Sequence, residues 1–181
     1  SLPNSKKLTD NDIEVIKANL AFYESTGRYT AANKLGYQGR YQLGVGALED
    51  SGYLRKGTLK KYFDKTNKYW QISALADTNN WTKKAPGGQK EFLANPILQE
   101  DAMDTYTTKN LKGVSQLKDW PNLSRKQRAG LLAAAHISGA TGAKKFHTGG
   151  ANPKDIHGSG PALYYKRGER ALEISDLDPS F

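Results

Sequence analysis

From Leu131 to Ile137 the chain reads Leu-Leu-Ala-Ala-Ala-His-Ile, a strongly apolar run that begins just after Ser124 and Gln127, which stand at capping-box spacing. A helix apolar on most sides must be buried, and alanines let neighbouring helices approach it closely. Such a helix needs other helices packed around it. The expected fold class is therefore α+β, predominantly helical, with a buried central helix. The length of 181 residues suits a single domain, or one pair of lobes around a cleft, spanning 1–181 with a polar lead-in at 1–9. An apolar share of 37% is enough for a sizeable core.

The remaining segments follow from periodicity and punctuation. Asp10 or Asn11 is placed to cap a helix running to about Glu24, with Ile13, Ile16, Leu20 and Tyr23 on one face and Gly27 as its stop. Between residues 28 and 46 the texture changes. Gly36, Gly39, Gly44 and Gly46 punctuate a run carrying Tyr29, Tyr37 and Tyr41, which predicts a small Gly/Tyr-rich hairpin or loop. A short helix is expected over 45–51 and a basic one over 56–70. An irregular connection follows at 76–90, then a helix from Pro96. Gly139 and Gly142 interrupt the central helix, and a Gly/Asn/Pro loop at 149–161 leads to a last helix near 162–174.

Composition removes several function classes. The chain has no cysteine, which excludes disulfides and thiolate metal sites. His136 has no carboxylate at ligand spacing, and His147 and His157 sit in or near a Gly-rich loop, so neither a metal nor any other cofactor is expected. There is no phosphate-binding glycine loop, no dinucleotide fingerprint and no nucleic-acid motif. No stretch suits a bilayer span and the start is polar, so neither a signal peptide nor stable membrane insertion is expected. A net charge of +9 favours polyanions, among them the anionic polymers of a bacterial envelope.

Three constellations carry chemistry. Glu24-Ser25 closes an amphipathic helix, where restricted solvent and the helix's negative end are expected to raise a carboxyl pKa and suit it to proton donation. The run Gly36-Tyr37-Gln38-Gly39-Arg40-Tyr41-Gln42 offers close backbone approach, flat tyrosine faces for sugar rings, and the amides of Gln38 and Gln42 for hydroxyl and N-acetyl groups. His136, in the Ala-Ala-Ala-His-Ile-Ser-Gly segment, reads as a ligand, a base or a satisfied core histidine. Trp81 in a polar loop is a candidate saccharide subsite, and Trp120 beside Pro121 is expected to be buried.

In order, these segments resemble the motifs of the soluble lytic transglycosylase and goose-type lysozyme superfamily. Glu24-Ser25 is similar to its catalytic Glu-Ser pair, Gly39-Arg40-Tyr41-Gln42 to its Gly-Leu-Met-Gln motif, and Ala135-His136-Ile137 to its Ala-Tyr-Asn motif. The fuller pattern, Glu-Ser-x-Gly-x-Tyr followed by Gly-Tyr-x-Gly-x-Tyr-Gln-x-Gly, resembles phage-type and secretion-system-delivered wall hydrolases. The resemblance spans roughly residues 13–146.

The resemblance implies a lysozyme-like fold and cleavage of the β-1,4 bond between N-acetylmuramic acid and N-acetylglucosamine. Glu24 would be the general acid, with Ser25, Tyr37, Gln38, Tyr41, Gln42, Trp81 and His136 around the saccharide. His136 and Ile137 depart from the family's tyrosine and asparagine; the tyrosine's role would pass to His136, Tyr37, Tyr41 or Tyr164. No acid lies between Ser25 and Leu48, so a second carboxylate would come from Glu49 or Asp50. Without one, a positioned water would give hydrolysis, or the sugar's own C6 hydroxyl a 1,6-anhydro end. The implied partners are peptidoglycan glycan strands and an immunity protein, not nucleic acid. A monomer is expected, acting in the periplasm or wall after export, lysis or injection.

Overall fold

The computed structural model describes residues 6–155 and 157–177; residues 1–5 of the expected lead-in lie outside them. The helices are α1 (Asp10–Ser25), α2 (Val45–Asp50), α3 (Thr58–Tyr62), α4 (Trp70–Ala76), α5 (Gln89–Ala94), α6 (Pro96–Val114), α7 (Arg125–Gly149) and α8 (Pro161–Leu177). Helix makes up 63% of the described residues. The β part of the expected α+β class shrinks, among the described residues, to three isolated bridges, Ala32 with Gln38, Gln38 with Leu43, and Leu54 with Trp81. The chain divides into two compact units, one of Ser1–Leu20 with Thr107–Phe181, the other of Ala21–Tyr106.

In the discontinuous unit the apolar segment is buried as its composition requires. Leu131 to Ala135 are all buried, and Leu131, Ala134 and Ala135 share a core with Val114, Leu117, Leu123 and Ala143. Ser124 and Gln127 form the predicted capping box at the start of α7. Glycine sets the spacing of α7 and α8: a β-carbon on Gly168 would stand 2.5 Å from the Ala129 carbonyl oxygen, and one on Gly130 2.7 Å from the Tyr165 ring. Gly139 kinks α7 with φ 69° and ψ 169°, a conformation open only to glycine. Trp120 is half-buried against this core, with the Arg128 guanidinium 4.8 Å above its ring. Arg125 forks to Asp12 and Asp176 at 2.8–2.9 Å, joining the ends of three helices.

The contiguous unit packs α2 to α5 and the first part of α6 around Leu48, Tyr53, Leu54, Leu75, Trp81, Phe92 and Met103. Phe92 lies between Tyr53 and Trp81, with ring centroids 5.3 and 5.7 Å away.

Three local expectations are corrected. Thr9, not Asp10 or Asn11, caps α1: its hydroxyl accepts from the Asp12 amide at 3.0 Å while the Asp12 carboxylate accepts from the Thr9 amide at 2.9 Å. Tyr23 is 49% exposed; the buried stripe runs through Asp12, Ile16, Lys17, Leu20, Ala21 and Ser25. The basic helix over 56–70 is cut to α3 because Asp64 and Asn67 accept from the amides of Thr66 and Tyr69, and these side-chain turns displace helical bonding.

Candidate functional site

Glu24 stands one residue before the end of α1 and is half-buried. The helix stops through Thr26 at φ 55° and Gly27 at φ 80°, whose amides reach back to the carbonyls of Phe22 and Ala21, each at 3.0 Å. Glycine takes that conformation freely; a β-branched threonine does so only under strain.

The Gly/Tyr-rich run forms a tight hairpin. Gln38 and Leu43 exchange both backbone bonds at 3.0 Å, and Gln42 donates its amide to Gly39 across the turn. Gln42 itself has φ 50°. Among the described residues, Thr26 and Gln42 are the non-glycine residues with positive φ, one directly after Glu24-Ser25 and the other inside the Gly-Arg-Tyr-Gln motif. Strain held in this way collects at functional sites.

One hydrogen bond joins the two motifs: the buried Ser25 hydroxyl donates to the Arg40 carbonyl at 2.6 Å. The Arg40 guanidinium returns the contact, donating to the Gly27 carbonyl at 2.9 Å. From α6, the buried Gln99 amide accepts from the Arg40 amide at 2.9 Å and donates to the carbonyls of Tyr29 at 2.9 Å and Phe92 at 3.1 Å. Gly39 leaves the room for it, since a β-carbon there would fall 2.1 Å from the Gln99 oxygen.

Sequence reasoning missed Glu100. Its carboxylate accepts from the Tyr41 hydroxyl at 2.7 Å and the Tyr29 hydroxyl at 3.0 Å, with Arg40 Nε 3.9 Å away. The Arg40 guanidinium also lies over both tyrosine rings, at 5.2 and 5.6 Å. Burial works against the Arg40 charge, but Tyr41, Tyr29 and Glu100 outweigh it and hold its pKa above the usual arginine value. Beside this cluster lies an open depression of about 500 Å³ lined by Tyr29, Pro96, Ile97, Glu100, Asp101 and Asp104; Glu24 is not in its lining.

The sequence-predicted residues divide by what their polar atoms already do. Tyr41 is buried and bound to Glu100. Gln38 is buried, donating to the Gly36 carbonyl at 3.0 Å and accepting from Gln89 at 3.1 Å, so its amide braces the hairpin. Gln42 is half-buried, its amide donating to the Gly39 carbonyl at 3.0 Å. Tyr37 is exposed, its ring edge at the position a Gly44 β-carbon would take. Trp81 is corrected: it is 2% exposed and donates its indole N–H to the Leu75 carbonyl at 2.9 Å, so it packs in the core and offers no face to a sugar. Glu49 accepts from the Leu59 amide at 3.1 Å near the start of α3, and Asp50 is exposed. His136 belongs to the other unit, half-buried on α7 and stacked on the buried Tyr164 at 6.4 Å and 17°. Phe22, taken up by no motif, stands 62% exposed in the last turns of α1, in edge contact with Tyr23 at 5.3 Å. Two adjacent aromatics off the stripe of Ile16 and Leu20 were the signal available for it.

Among the described residues no group of histidine, cysteine, aspartate or glutamate is arranged to hold a metal ion. Comparison of the chain with family models, curated proteins and solved structures yields no match.

Proposed function

We propose that this chain is a muramidase, cleaving the β-1,4 bond between N-acetylmuramic acid and N-acetylglucosamine in bacterial peptidoglycan. Glu24 is the general acid: it protonates the leaving glycosidic oxygen as the anomeric carbon takes on oxocarbenium character. The observation that carries the reading is the bond from Ser25 to the Arg40 carbonyl. It ties the Glu-Ser helix end to the Gly-Arg-Tyr-Gln turn, two of the three motifs on which the resemblance rests, and a strained residue stands beside each end. Preorganisation of this kind is what general acid catalysis needs, since a small misplacement of the donor costs rate steeply.

The partner to Glu24 is drawn from water or from the substrate. Glu49 is engaged at α3 and Glu100 holds Tyr29 and Tyr41. With both so engaged, a retaining double displacement would fall to Asp50, whereas water or the substrate's own hydroxyl needs no second carboxylate. A positioned water yields a reducing muramic end. Attack by the substrate's C6 hydroxyl, its proton taken by the Glu24 carboxylate, yields a 1,6-anhydro end and consumes no water. The exposed Phe22, Tyr23 and Tyr37 supply faces for sugar rings near Glu24 in sequence. The site of action is the periplasm or wall, reached by export, lysis or injection, and an immunity protein is the natural antagonist.

The test is digestion of purified peptidoglycan by wild type and Glu24→Gln, with products identified by mass spectrometry. Soluble muropeptides from wild type alone are expected, and their ends distinguish the two routes. Wild type that releases no glycan ends the enzyme reading and leaves a glycan- or polyanion-binding module.

A further inference from the structure

Charge in this chain is unevenly placed. Residues 55–72 hold six cations, Arg55, Lys56, Lys60, Lys61, Lys65 and Lys68, against one acid, Asp64. All six cations are exposed. Asp64 is occupied locally, accepting from the Thr66 amide at 2.9 Å and the Thr66 hydroxyl at 2.6 Å. The same short stretch, α3, its turn and the start of α4, also displays apolar side chains. Phe63 is 59% exposed, Tyr69 47% and Ile72 45%. Phe63 meets the half-buried Trp70 edge-on at 5.4 Å, and lysine ammoniums lie over the rings of Tyr62 at 5.4 Å and Tyr69 at 5.1 Å.

A soluble polyanion would engage the cations alone and leave Phe63 and Ile72 in water. An anionic bilayer surface engages both sets. Ammonium groups meet headgroup phosphates while their stems and the aromatic rings settle at the headgroup level. Lysine near such a surface contributes on the order of a fivefold gain in partitioning. Among the described residues no helix is long and apolar enough to cross a membrane, so contact of this kind is peripheral. We infer that residues 55–72 form a docking surface for an anionic lipid bilayer. This does not rest on Glu24 or on the muramidase reading.

The test is cosedimentation of the full chain with vesicles of equal parts phosphatidylglycerol and phosphatidylcholine, against vesicles of phosphatidylcholine alone. Binding to the mixed vesicles only is expected. Lys60, Lys61, Lys65 and Lys68 changed together to Gln should weaken it by two orders of magnitude or more, at on the order of fivefold per lysine. The pair Lys65→Gln with Lys68→Gln lies in the turn outside the helices, and carries the same test with smaller loss should the fourfold variant melt early. Phe63→Ser with Ile72→Ser should weaken binding at least tenfold while leaving retention on soluble polyphosphate unchanged. Glu24→Gln should bind as wild type does. Failure to bind mixed vesicles, equal binding to neutral ones, or full binding by the Phe63→Ser, Ile72→Ser variant would each overturn the proposal, the last by reducing the segment to a simple polyanion site.

Discussion

The hydroxyl of the buried Ser25 donates to the carbonyl of the half-buried Arg40, so its removal takes a partner from an acceptor with restricted access to water. Ser25→Ala is expected to cost about 1–2 kcal/mol in urea unfolding and to lower cleavage of peptidoglycan more than that loss of folded protein explains. Gly39→Ala is the harsher change, because a side chain at φ 73° would also collide with Gln99. About 3 kcal/mol of destabilisation is expected, read as a fall in melting temperature. Tyr41→Phe strips Glu100 of its shorter tyrosine bond and should cost about 2 kcal/mol, as hydrogen bonds to charged groups do. At this scale the sequence was legible where local order decides geometry: the helix stop after Ser25 and the hairpin turn at Gln42 lie within motifs a few residues long. Glu100 was not, since its tyrosines lie 59 and 71 residues away along the chain. Trp81 misled because a polar loop does not reveal which way its indole turns.

Among the elements, α7 was the most legible, since a cap, an apolar run and a glycine each act through neighbours in sequence. Its partner was less so: that Gly168 on α8 would lie against the Ala129 carbonyl follows only from helix packing. Gly168→Leu is expected to force α7 and α8 apart and to cost upwards of about 3 kcal/mol, checked by urea unfolding. The helix ends gathered by Arg125 carry a pH dependence. Burial alone would raise the Asp12 carboxyl, but Arg125 and Thr9 outweigh it and hold it below the usual aspartate value; hydrogen bonds from Arg125 do the same for Asp176. Groups with depressed folded pKa values stabilise above their unfolded pKa, about 4, and lose that contribution as pH falls through the folded value. Unfolding free energy should therefore be level above about pH 5 and decline in acid. Arg125→Met should lower the plateau by about 3 kcal/mol and flatten the decline.

For the whole molecule, a charge of +9 would make encounter with the anionic wall proposed as its substrate a matter of ionic strength. The second-order rate of wall cleavage should fall as salt rises past about 0.1 M, where screening acts within about 10 Å, while turnover of short neutral glycans should change little. Composition announced the charge, and the apolar run with its caps the helical class; length allowed a pair of lobes, but which segments make up the two units depends on contacts between distant parts of the chain. The left-handed Thr26 and Gln42 bear on how such a chain changes over generations. Asparagine accepts that conformation more readily, so Thr26→Asn is open to selection for heat resistance at a gain of up to about 1 kcal/mol. If the strain aims Glu24, selection for wall cleavage pulls the other way. Two libraries grown from this one gene, one sorted by survival of heating and one by lysis, would then part company at positions 26 and 42.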